Sequence, residues 1–138
     1  MHSFILIDPI RKSITIRFAS TPNDLWKEID GRGCDFGTLG HHHAIIVYEF
    51  GLLEPDTEQG YFSLANRLFV GKAVIFRSDN EGETINITRQ DIKRTVDVLH
   101  FYPSAAEVEK AIQSGAIQRP AKSINGEVIW EWKPTPHD

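Results

Sequence analysis

The sequence predicts an α+β domain in which a mostly antiparallel sheet carries two or three short helices packed on one face. Three observations predict it. Apolar and polar residues alternate with period two from Ser13 to Phe18, as in a half-buried strand. Helix starts are signalled at Thr21 and Ser104, each followed three positions on by an acid, Asp24 and Glu107, which is capping-box spacing. Asn125-Gly126 lies inside a β-prone stretch and marks a tight hairpin turn.

Taken in order, residues 4–7 form a continuous apolar run, as expected of a strand covered on both faces. Asp8-Pro9 breaks the run, and the short connection to Ile14, Ile16 and Phe18 predicts an antiparallel hairpin. Pro22 suits the first position of the helix capped by Thr21, with Leu25, Trp26 and Ile29 on one face and Gly31 ending it. Gly31, Gly33, Gly37 and Gly40 punctuate a loop-rich stretch around a short strand at 35–39. Their order lacks the Lys-Ser/Thr of a phosphate-binding loop and the flanks of a dinucleotide fingerprint. Residues 44–50, AIIVYEF, are the clearest strand. Residues 72–76 and 84–88 flank the turn SDNEGE and form a second hairpin.

Residues 88–102 support two readings. Ile92, Val96 and Leu99 keep helical spacing behind a Thr88/Asp91 capping box, while Val96, Val98 and Phe101 suit a strand. After Ser104, the residues Val108, Ala111 and Ile112 share a helix face that Gly115 closes. Residues 122–132 then form the last hairpin.

The 138 residues fit one domain. Residues 3–88 make its core, and 104–133 add a helix and a C-terminal hairpin. A net charge of −4 gives no electrostatic case for general nucleic-acid binding. The single cysteine, Cys34, excludes an intrachain disulfide. The opening apolar run is too short for a signal-peptide core and no stretch reaches membrane length, so no membrane association is expected and the cytoplasm is the expected location.

GLLEP at 51–55, YFSL at 61–64 and GKAVIFRSDNEGE at 71–83 resemble a pattern in small phage and plasmid proteins grouped as domain of unknown function 3846. The resemblance spans roughly residues 3–88. It implies a mobile-element setting and no catalytic residue, and it leaves 104–138 unmatched.

Several groups of residues carry candidate chemistry. His41 and His43 point to one side of an extended strand, the arrangement of a transition-metal ligand pair. Asp35, Glu49 or Cys34 would complete a set, yet no established zinc or facial-triad signature is present. The alternative is a polar turn leading into the next strand. Cys34, with histidines just after it, is a candidate nucleophile or an inert buried thiol. Glu49, Glu54, Asp56 and Glu58 form an acidic run that reads as a solvated loop. Val128, Trp130 and Trp132 alternate along the last strand, either as a partner-binding stripe or as core.

The expectation is therefore a binding protein acting on a macromolecular partner or a small ligand, without a cofactor. The resemblance alone implies an accessory role in a phage or plasmid setting, one version of which is interference with a host system. The alternatives are a metal-dependent enzyme centred on His41 and His43, and a homo-oligomeric structural domain whose terminal hairpin extends a neighbour's sheet.

Overall fold

A computed structural model describes residues 1–40, 42–49, 51–52 and 59–132. The described elements are β1 (His2–Asp8), β2 (Ser13–Ala19), α1 (Pro22–Ile29), β3 (Cys34–Thr38), β4 (His43–Tyr48), β5 (Tyr61–Leu64) and β6 (Arg67–Val70), then β7 (Ala73–Ser78), β8 (Thr84–Ile85), α2 (Arg89–Val98), β9 (Leu99–Tyr102), α3 (Ala105–Gln113), β10 (Ala121–Ile124) and β11 (Glu127–Trp130). The fold is α+β, and every strand pair is antiparallel.

Two sheets pack face to face. The larger has the order β2-β1-β7-β4-β3, with β8 also on β7; the smaller has the order β6-β5-β9. Alternate residues of a strand face opposite sides, so β1 sends Ile5 and Ile7 one way and Phe4 and Leu6 the other. The first pair meets Phe62, Leu64 and Phe69 of the smaller sheet. The second pair meets Leu25 and Trp26 of α1. Beyond the smaller sheet, Tyr61, Leu68 and Val70 pack on Val108 of α3 and on Trp132.

This layering corrects the expectation of helices on one face. α1 and α3 lie on opposite outer sides of the two-sheet core, because the smaller sheet covers the face that a helix was expected to cover. Ile92 of α2 packs into the core between the sheets. The ambiguous stretch is both things in turn: a helix to Val98, then a strand from Leu99.

Local chemistry explains the ends. Thr21, Thr88 and Ser104 each accept the backbone N–H three residues on, at 3.1, 3.1 and 3.3 Å. Asn125 and Gly126 both have positive φ, 51° and 85°, as a type I′ turn requires. Gly60 (φ +76°) has no room for a side chain, since a Cβ there would stand 2.9 Å from Pro9.

Candidate ligand-binding cleft

His43 opens β4 on the face that Ile45 shares, toward the smaller sheet. Its Nε2 lies 2.8 Å from Asp91 Oδ1. Asp91 is the third residue of α2 and closes the capping box: its Oδ2 accepts the Thr88 N–H at 2.7 Å, and its own N–H bonds Thr88 Oγ1. One carboxylate therefore caps the helix and ties it to the large sheet. Thr95 adds a hydrogen bond to the Asp91 carbonyl at 2.9 Å.

Burial is the largest single influence on the Asp91 carboxyl and opposes its charge, but the Thr88 amide and hydroxyl and the His43 ring together outweigh it. Its pKa is held below the ordinary 3.8. The carboxylate is thus ionised at neutral pH and can only accept, so the His43 nitrogen facing it carries the proton. Among the described residues no hydroxyl or thiol hydrogen-bonds the other ring nitrogen. The pair resembles the base half of a triad without a described nucleophile.

Beside this pair opens a cleft of about 400 Å³ between α2, the β3–β4 connection and the β5–β6 turn. That volume lies within the roughly 300–1,000 Å³ typical of small-ligand sites. Leu39, Leu64, Ile75 and Val98 give it apolar walls, and Arg67 and Arg94 are also among its lining residues. Arg67 donates to the Thr38 carbonyl at 2.9 Å and lies 5.2 Å from the Phe69 ring centre. Neither arginine has a carboxylate partner among the described residues. Asp91 is the one carboxylate among the lining residues, and both of its oxygens are engaged. In a chain of net charge −4, two arginines and one carboxylate thus line the hollow. Arg67 and Asn66 also border a second cavity of about 450 Å³, whose rim carries Asp35, Glu49 and Glu131.

The residues singled out in the sequence separate in space. His41 lies outside the described residues, as do Glu54, Asp56 and Glu58. Among the described residues no group of three His, Cys, Asp or Glu side chains could hold a metal. Cys34 pairs with Tyr48 across β3–β4 and packs on the α1 side of the sheet. His43 faces the other side, because it stands five positions along β4 from Tyr48, the ladder partner of Cys34, and successive strand residues alternate between faces, so the pair cannot form a Cys–His couple.

Val128 and Trp130 are exposed at 63% and 49%, whereas Trp132 is 1% exposed. Trp132 therefore leaves the expected stripe. The β10–β11 ladder ends at Trp130, and the next residues turn in toward Tyr61.

Asp91, Arg67 and Arg94 were missed as site residues. The Thr88/Asp91 capping signal is visible in the sequence, but His43 lies 48 positions away. No local pattern marks either arginine. No protein-family model, curated protein or solved structure matches this chain.

Proposed function

We propose that this protein is a binding module whose cleft takes a small acidic ligand, a carboxylate or phosphate group joined to an apolar body. The observation that carries this reading is that Arg67 and Arg94, neither ion-paired to a described carboxylate, both line a hollow with apolar walls. Guanidinium groups present flat forks of N–H donors that match carboxylate and phosphate oxygens. Leu39, Leu64, Ile75 and Val98 would bury the rest of the ligand. The engagement of His43 by Asp91, with no described nucleophile alongside, favours binding over catalysis. In the mobile-element setting that the resemblance suggests, such a module would serve an accessory role.

The test is titration with a panel of small aryl and alkyl carboxylates and phosphates, followed by backbone amide chemical shifts. Shifts should gather around residues 38–39, 64–67 and 91–98, and Arg94→Ala should abolish them without lowering the melting temperature. A panel that moves no cleft amide, or binds Arg94→Ala equally well, overturns the reading.

A second reading rests on the β10–β11 hairpin. Val128, Trp130 and Ile124 are all exposed there, and an isolated two-stranded hairpin is marginal in water. A macromolecular partner would cover it. Affinity capture by the wild type but not by Trp130→Ala supports this reading, and equal capture by both removes it.

A further inference from the structure

We infer that two copies of this chain associate through β2, edge to edge, in an antiparallel register centred on Ile16. The strands at the two ends of the large sheet's path, β2 and β3, present different edges. On β3, the Leu39 N–H donates to the His43 carbonyl, so odd-numbered residues bond β4 and even-numbered ones point outward. Two of those outward groups are already engaged. The Phe36 N–H reaches the Asp35 carboxylate at 2.9 Å, and the Thr38 carbonyl accepts from Arg67. Covering an edge with side chains in this way blocks strand addition.

β2 has no such cover. The Ser78 N–H donates to the His42 carbonyl, which turns the even residues of β7 toward β4 and leaves Ala73 and Ile75 to bond Ile7 and Ile5 of β1. The even residues of β1 then bond β2, where their partners are Thr15, Arg17 and Ala19. The N–H and C=O groups of Ile14, Ile16 and Phe18 point outward, and no described group meets them.

The same three residues carry apolar side chains on the face turned toward the smaller sheet, directly beside Ile7, Ile5 and Ser3. Ile14 is packed against the core, but Ile16 and Phe18 are 46% and 62% exposed. A two-fold axis at Ile16 sets Ile16 against Ile16 of the second copy and Ile14 against its Phe18. Those are the residues whose backbone groups are open, so the hydrogen-bonding phase and the apolar pattern agree on one register. On the opposite face, Arg17 meets Thr15 of the second copy rather than a like charge, and it keeps its ion pair to Glu28. A self-complementary strand of this kind fits an isologous contact between identical chains.

Sedimentation of the full chain tests this. The wild type should run as a dimer, and Phe18→Lys should halve the mass while leaving the melting curve of the subunit fold in place, since residue 18 is exposed. Val128→Lys, on the hairpin, should remain dimeric. In a Cys34→Ser background, Ile16→Cys should cross-link on mild oxidation, and Ser13→Cys, set opposite Ala19 of the second copy, should not. A wild type that stays monomeric at the highest attainable concentration overturns the proposal. So does a dimer that survives Phe18→Lys, dissociates with Val128→Lys, or cross-links equally through residue 13.

Discussion

The indole N–H of Trp132 donates to Glu109 Oε1 at 2.8 Å, while its ring meets Tyr61 edge-on with centres 5.7 Å apart. The two tryptophans of the C-terminal segment thus have different environments. Trp132→Ala would empty a fully buried site and lose the Glu109 bond, at a cost of about 3–5 kcal/mol. Trp130→Ala removes a half-exposed side chain and should cost less than about 1 kcal/mol. Denaturant melts of the two variants check the contrast. Comparable losses would mean that the hairpin stripe is part of the core after all.

Glu109 holds more than the indole. Arg119 donates to both of its oxygens at 2.8 Å, and these bonds outweigh burial to keep the carboxyl below its ordinary pKa of 4.5. A carboxyl whose folded pKa is depressed stabilises the fold above its unfolded value and loses that contribution as pH falls through the folded one. Glu109→Gln should therefore be less stable than wild type at neutral pH, by about 1–3 kcal/mol for the charge-assisted bonds lost. The gap should narrow as pH falls below 4.5. A gap independent of pH across that window would show that the carboxylate charge contributes nothing there.

Much of this arrangement is legible in the sequence, and the gaps have physical causes. β1, β2, β4, β7, the three helix caps and the Asn125-Gly126 turn follow from local period and turn chemistry. The strands at 61–64 and 67–70 give no alternation, because residues such as Tyr61 and Phe62 are buried on both faces, and a short apolar run covered on all sides reads as neither helix nor strand. Missing that second sheet is what put all the helices on one face. The cleft is illegible for another reason. His43 meets Asp91, and Arg67 meets the Thr38 carbonyl, only through tertiary packing, and the capping role of Asp91 already accounts for its place in the sequence.

Ser104 is a simpler case. Its Oγ accepts the Glu107 N–H at 3.3 Å at the start of α3, so Ser104→Ala should cost about 1 kcal/mol. Ser104→Asp should restore most of that, because an acid also suits the helix N-terminus. A thermal melt of both variants checks it, and an unchanged alanine variant would place the effective cap elsewhere.

The His43–Asp91 pair allows the most discriminating measurement. Asp91 serves two partners at once, so Asp91→Ala should lose both the cap and the tie between α2 and β4, about 2–4 kcal/mol together. Thr88→Ala removes the hydroxyl that caps the Asp91 N–H but leaves the carboxylate in contact with His43. A double-mutant cycle over His43→Ala and Asp91→Ala should give a coupling of about 0.5–3 kcal/mol, as for residues in direct contact. The pH dependence has the acid's sign. With the folded pKa of Asp91 below 3.8, its contribution is present above that value and fades as pH drops through the folded one. Repeating the cycle at stepped pH should show the coupling shrinking as pH falls through that acid window. A coupling near zero at neutral pH would mean that α2 is held to the sheet by Ile92 and its apolar neighbours alone, with the hydrogen bond as a bystander.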